Sequence, residues 1–273
     1  MPELPEVEHV RRSLLPHLLG ERIAAVLVRR ASVVKGPRTP KALLAGALIA
    51  RIDRRGKQMA LVAADGRVLV IHLGMSGQVL CDDGVATLPP HVHIVWTTQR
   101  GTRVLFRDPR RFGGVWPLAG LDALQRRWVA LGPDGLDTPA SAVATALVEA
   151  CRGSRRAVKA ALLDQHVLAG VGNIYADEAC FLAGIRPTRR AQRLKPGEAV
   201  GLARALRSVL AAAVAAGGSS LRDYVDADGR AGEFVAQHAV YGRGGLACVR
   251  CGGRLRQTVI AQRTTVFCPT CQR

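Results

Sequence analysis

Two Cys-x-x-Cys pairs, Cys248-Val-Arg-Cys251 and Cys268-Pro-Thr-Cys271, stand sixteen residues apart near the end of the chain. Each pair puts two thiolates on one tight knuckle, and a tetrahedral metal needs two knuckles face to face, so the residues between must double back. The stretch 258–266 supplies that hairpin. With all four positions filled by sulfur, the spacing predicts one structural zinc per chain held by Cys248, Cys251, Cys268 and Cys271. The rival reading, a pair of disulfides, suits an oxidising compartment. No basic-then-apolar leader and no bilayer-length apolar run is found in the sequence, so the expectation is a cytosolic protein without a membrane segment. Cys81, Cys151 and Cys180 lack ligand spacing and read as core or incidental thiols.

Ahead of this appendage the pattern changes twice. Residues 5–19 carry Val7, Val10, Leu14, Leu15 and Leu18 on one helical stripe with Gly20 at the end. From 23 to 117 short β-branched runs follow, at 23–28, 47–52, 59–62, 68–71, 92–96 and 104–106, with Asp65-Gly66 as a tight-turn signal. Such spacing favours an antiparallel sandwich or flattened barrel over alternating βα units. The breaker-rich stretch 131–140 reads as a linker, and helices are expected at 141–151, 155–163, 174–182 and 197–216. Residues 217–233 read as a mobile loop. The fold class is therefore α+β: a β-sandwich domain over 1–130, a helical domain over 141–240, and a zinc finger over 241–273.

Charge narrows the partner. The chain has 39 Lys and Arg against 21 Asp and Glu, a formal net charge of +18. A preference for Arg over Lys can reflect coding bias, but the excess over acids points to a polyanion. With only three Trp, three Tyr and five Phe, duplex backbone binding fits better than stacking on single strands.

Three stretches carry candidate chemistry. A small residue at position 2 permits removal of Met1, which would expose the secondary amine of Pro2 next to the carboxylate of Glu3. An α-amino group titrates near pH 7.7–8.0, so a useful fraction is uncharged and nucleophilic. Taken alone, Glu3 and Glu6 are equally ordinary dipole compensation in a first helical turn. Gly170-Val-Gly-Asn173 offers a tight turn with Asn173 at the N-cap, either a phosphate site or a plain capped helix. The third element is a pair of loops, 71–77 and 107–113, with His72 and Met75 on one and an Arg pair beside Phe112 on the other. An exposed aromatic beside Arg suits a wedge that props open a base stack.

In this order, Pro-Glu-Leu-Pro-Glu-Val-Glu, Lys57 in Arg-Arg-Gly-Lys, His-Leu-Gly-Met-Ser-Gly, Asp-Pro-Arg-Arg-Phe-Gly, Gly-Val-Gly-Asn-Ile-Tyr-Ala-Asp-Glu and the four-Cys finger resemble the bacterial formamidopyrimidine-DNA glycosylases of the Fpg/Nei family. The similarity spans nearly the whole chain. It implies an N-terminal β-sandwich, a helix-two-turn-helix domain with the finger, and a monomeric glycosylase and AP lyase acting on oxidised purines in damaged double-stranded DNA. Carried over by position, Pro2 is the nucleophile, Glu3 handles protons at the sugar, Glu6 is an auxiliary carboxylate, and Lys57 lies close to the chemistry. His72, Asn173 and Arg263 join Lys57 on the phosphates, and Lys159 is a further DNA contact. Met75, Arg110 and Phe112 fill the gap left by the extruded base. Residues 219–228 correspond to a loop that closes over the lesion, where Arg222 stands at a position often Lys. An endonuclease VIII-like enzyme for oxidised pyrimidines, or a catalytically silent damage binder, are the alternatives. The segment 88–93, Leu-Pro-Pro-His-Val-His, departs from the more acidic, lysine-containing stretch of relatives; His91 and His93 are expected on a solvated strand start.

Overall fold

The computed structural model describes residues 2–85, 87–220 and 224–273. The chain divides into two compact units, Met1–Val129 with Ala216–Glu233, and Ala130–Ala215 with Phe234–Arg273.

The first unit is built on two four-stranded antiparallel sheets. One has the order β1 (Ile23–Val28), β6 (Val92–Thr98), β7 (Arg103–Arg107), β5 (Gln78–Asp82). The other has the order β2 (Ile49–Arg55), β3 (Gln58–Ala63), β4 (Val68–His72), β8 (Gly114–Leu118). Inward residues of both sheets, including Met59, Leu61, Ile71, Val79, Ile94, Trp96 and Phe106, share one core with Val7, Val10 and Leu14 of α1 (Leu4–Leu18). Alternate positions on the second sheet, Ala60, Val62, Val68 and Val70, are covered by Leu124 of α2 (Leu121–Val129). Both faces being buried, the run Val68–His72 is continuously apolar up to the histidine rather than alternating.

Three elements of this unit were not expected. Strand β8 carries Pro117, which is tolerated because the strand is at a sheet edge. Strand β5 is a short edge strand paired with β7, and α2 covers a stretch for which no element was expected. The segment 216–233 differs from the expected mobile loop of the helical domain, for it belongs to the sandwich unit. Tyr224 and Ala227 enter the sandwich core, and Asp226 is buried.

The second unit packs α3 (Ala140–Cys151) and α5 (Asn173–Leu182) on the long α6 (Pro196–Ala215). Between them α4 (Val158–Leu162), two turns and α5 form the helix-two-turn-helix. Helix α4 starts later than 155 because the backbone of 154–158 pairs with 189–192 instead: Val158 donates to the Arg189 carbonyl at 2.8 Å and Ala191 to the Arg156 carbonyl at 2.8 Å. The breaker-rich stretch after 130 is docked, with Gly132 donating to Gln165 O and Gly135 to Ala169 O. The last two strands, β9 (Arg256–Ile260) and β10 (Arg263–Phe267), form the expected hairpin.

Candidate active site

In the sandwich unit, Pro2 is buried at the entrance to α1, as are Glu3 and Glu6. The Glu3 carboxylate accepts the Glu6 N–H, and Glu6 Oε2 accepts the Glu3 N–H at 2.7 Å, a reciprocal capping box built from two acids. Glu6 Oε1 accepts the Ser219 N–H at 2.8 Å, and the Glu6 carbonyl accepts the Tyr224 hydroxyl at 3.2 Å. A Cβ on Gly218 would stand 2.9 Å from Glu6 Oε1, and φ there is +85°, so only glycine lets the backbone approach this carboxylate. The head of α1 is thus a buried corner where two carboxylates meet the positive end of a helix.

Lys57 is half-buried in the two-residue turn between β2 and β3, after Gly56 with φ +55°. The pairing of Gln58 with His72 brings it beside the imidazole at the end of β4. His72 Nδ1 accepts the Gly74 N–H at 3.0 Å, leaving the ring proton of a neutral imidazole on Nε2. Burial, then the nearby charges of Lys57 and Arg127, push the His72 pKa down to about 4. At neutral pH this side chain is an uncharged N–H donor.

The two loops interlock. Asp108 is fully buried; its Oδ1 accepts the Ser76 hydroxyl at 2.7 Å and its Oδ2 the Gly113 N–H at 2.8 Å. A Cβ on Gly74 would meet Gly113 N at 2.3 Å. Clamped this way, the pair displays Met75, 42% exposed, and Phe112, 57% exposed, with the Arg110 guanidinium 4.7 Å from the Phe112 ring centre. Asp108 and Ser76 were not singled out from sequence; the Asp-Pro step before the Arg pair was the available signal. Nothing flagged Arg127, since its helix was unexpected.

His91 and Arg111 both have left-handed φ and, with Arg29 and Arg30, line an open cavity of about 580 Å³. His93 corrects the solvated reading. It is buried and its Nε2 is 2.8 Å from the Asp108 carbonyl.

In the second unit, Asn173 is the first residue of α5 rather than its cap, which is Gly172. Its Nδ2 donates to the Thr264 carbonyl at 3.1 Å, and its Oδ1 has no hydrogen-bond partner among the described residues. Arg263 is exposed at the end of a two-residue turn whose Ala261 and Gln262 both have positive φ, as a tight hairpin demands. Lys159 requires a correction as a DNA contact. It is wholly buried, 2.7 Å from Asp177 Oδ1, and donates to Thr265 Oγ1 at 2.8 Å and the Thr264 carbonyl at 3.2 Å. Asp177 Oδ2 accepts the Val266 N–H, and Glu178 accepts three N–H groups from 239–241. Asp177 thus anchors the hairpin to α5, and Glu178 anchors the 239–241 segment that leads to it. Arg222 lies outside the described residues.

The four cysteine sulfurs lie within 4.8 Å of one another, with Cys251 to Cys268 at 3.6 Å and Cys248 to Cys271 at 4.0 Å. Tetrahedral metal–thiolate bonds of about 2.3 Å would set sulfurs ~3.8 Å apart. Arg250 and Cys271 N–H groups point at Cys248 and Cys268 sulfur at 3.4 Å. The cluster fits a four-thiolate metal ion.

Three family models match: the formamidopyrimidine-DNA glycosylase N-terminal domain over 1–115, its H2TH domain over 131–225, and a zinc finger found in FPG and IleRS over 245–273. A formamidopyrimidine-DNA glycosylase of Laribacter hongkongensis is 46% identical, with both chains fully covered. The chain belongs to the formamidopyrimidine-DNA glycosylase family. Among family members of known structure, the MutM (FPG) protein of Thermus thermophilus is 42% identical, with 99% of this chain and 98% of that chain covered and a TM-score of 0.87. A Lactococcus lactis FPG mutant bound to Fapy-dG-containing DNA superposes over the full length of both chains, with 31% identity and a TM-score of 0.91. No described helix in this member of the family is long and apolar enough to cross a membrane.

Proposed function

We infer that the protein is a base-excision enzyme, a DNA glycosylase and AP lyase that removes 8-oxoguanine and formamidopyrimidines from duplex DNA. Its relatives of that name, and the damaged DNA in their structures, support the substrate class. The observation that carries the chemistry is the buried Pro2–Glu3–Glu6 corner at the head of α1, in the same unit as the Met75–Arg110–Phe112 display. The reacting sugar carbon is unreachable inside a base stack, so the damaged nucleotide must be extruded, and Met75, Phe112 and Arg110 take its place, the guanidinium facing the orphaned base.

With Met1 gone, the Pro2 nitrogen attacks C1′, the glycosidic bond breaks, and the base departs with the bonding electrons and a proton. Glu3 delivers a proton to the ring oxygen as the sugar opens. The resulting iminium acidifies C2′–H, and its loss expels the 3′ phosphate; a second elimination expels the 5′ phosphate. Lys57, the neutral His72 Nε2–H, Asn173 and Arg263 hold the flanking phosphates. Zn2+, the ion that four thiolates favour, would supply folding energy to the finger, with no position open for substrate. The reading places the monomeric enzyme where bacterial DNA is, in the cytosol.

Borohydride reduction during turnover on a duplex with one 8-oxoguanine opposite cytosine tests this. A covalent adduct mapping to Pro2 is expected. Tight binding without any adduct would leave a silent damage binder instead. Because a Lactococcus lactis relative has been solved with oxidised-pyrimidine DNA, excision of thymine glycol measured in parallel sets the breadth of substrate.

A further inference from the structure

The backbone ribbon that shortens α4 carries a second feature. Residues 154–158 and 189–192 run antiparallel, with Ala157 bridged to Arg190 and Gln192 donating to the Ser154 carbonyl at 3.0 Å. That pairing gathers Arg152, Arg155, Arg190, Arg193 and Lys195, all exposed. None of the five has an ion-pair partner among the described residues. The nearby acids are otherwise engaged or single: Asp164 pairs with Arg156 at 2.9 Å, Glu198 with Arg189 at 2.8 Å, and Glu149 stands alone on the end of α3. Two of these charges, Arg155 and Arg190, sit on the paired backbone and three flank it, and five like charges so gathered repel one another.

The ribbon precedes α4 and follows the C-terminal end of α5, whereas Asn173 stands at the N-terminal end of α5. Ten helical residues separate those ends by about 15 Å. No large exposed apolar side chain lies within 152–158 or 186–195 among the described residues. A protein partner would need an apolar or aromatic centre to its interface; a phosphate backbone needs only regularly placed cations.

We propose that this ribbon is a second duplex-binding surface, which takes the phosphate backbone of another DNA segment while the first is held through Asn173 and Arg263. The enzyme then passes between segments by direct transfer, without a free intermediate. The inference rests on the DNA-repair reading only for the first segment.

The test follows release of a labelled lesion duplex from the full-length, metal-loaded protein while unlabelled undamaged duplex is raised from about 0.1 to about 10 µM at low salt. Direct transfer makes the apparent release rate climb with competitor, by about tenfold over that range. In the variant R152Q/R155Q/R190Q/R193Q the rate should stay within about twofold, and R152K/R155K/R190K/R193K should regain the climb because phosphates read charge. Equilibrium binding and borohydride trapping of the same labelled duplex report the first site independently and should be unchanged in both variants. A wild-type release rate indifferent to competitor, or a glutamine variant that climbs like wild type, overturns the proposal.

Discussion

Lys159→Met is the most informative perturbation of the second unit. Lys159 and Asp177 are both fully buried and 2.7 Å apart, and Asp177 is further held by the Val266 N–H at 3.0 Å. Burial pushes the Asp177 pKa up to about 6, against the pull of Lys159 and the Val266 N–H. A carboxyl raised from 3.8 to about 6 on folding gives stability that is complete below pH 3.8 and is lost as pH rises through 6. Removing Lys159 takes away the main attraction holding the carboxylate ionised, so that window extends upward past neutrality. Stranding one partner of a buried pair costs about 3–5 kcal/mol. The deficit should therefore be near that size at pH 8 and shrink by up to ~1.4 kcal/mol for each pH unit lowered through the window. Adding Asp177→Leu removes the stranded charge but orphans the Val266 N–H, a cost of about 1–3 kcal/mol, so at pH 8 the double variant is the less damaged. Urea unfolding followed by far-ultraviolet circular dichroism reads the helices, most of them in the second unit, whereas Trp96, Trp116 and Trp128 all report the first. The dichroism midpoint should fall and the tryptophan midpoint hold. A deficit below about 1 kcal/mol at pH 8, or one equal at pH 5.5 and 8, refutes the reasoning.

Any residue left in front of Pro2 by a tag should abolish strand cleavage on an abasic duplex while sparing binding measured by gel shift. Cys268→Ser should release about one metal per chain, read by atomic absorption, and remove DNA binding with it. Burial would lift the Glu8 carboxyl, but Arg11, Arg12 and Arg54 bring it down to about 2, with Arg12 Nε at 2.7 Å and Arg54 Nε at 3.1 Å. Glu8 thus gives about 3 kcal/mol that is present above pH 4.5 and lost as pH falls toward 2; Glu8→Gln should cost that much at pH 7, by urea unfolding, and flatten the acid limb of the stability curve. Gly74→Ala drives a Cβ into Gly113 N and should loosen the Met75–Arg110–Phe112 display, raising KM for a lesion duplex about tenfold or more, the cost of a misplaced positioning group.

What was legible in the sequence was whatever depends on neighbours along the chain. The cysteine knuckles with their 258–266 hairpin, the α1 stripe and the turn at Asp65-Gly66 all close locally, and ligand spacing, period and turn chemistry find them. Elements stabilised from outside were missed. Strand β8 was not among the expected runs; it carries Pro117, which an edge strand accommodates because it needs no N–H there. The start of α4 read as helix until a distant segment, 189–192, took its backbone. Lys159 was expected on DNA because no local pattern shows that Asp177 and Thr265 wait for it inside the fold. The same limit made 217–233, rich in glycine and charge, read as a mobile loop when Tyr224 and Ala227 enter the sandwich core.

That last difference changes what Glu6 does. The family resemblance implied an auxiliary carboxylate; each Glu6 carboxylate oxygen accepts a backbone N–H, one from Glu3 and one from Ser219, and its carbonyl accepts the Tyr224 hydroxyl. Farther along the same helix, His9 lies 3.3 Å from Asp226, Ser13 Oγ accepts the Ala227 N–H at 3.0 Å, and His17 lies 2.8 Å from Asp228. Positions 6, 9, 13 and 17 recur at three and four residues, one face of a helix. That face therefore holds 219, 224 and 226–228 along its length, while Glu3 caps the first turn and Pro2 precedes it. The N-cap residue Glu3, Ser219 and Tyr224 are thus all registered on one helix, and Glu6 is the residue that bonds all three. Its carboxylate ties the cap of α1 to the backbone of Ser219, so moving either end moves the other.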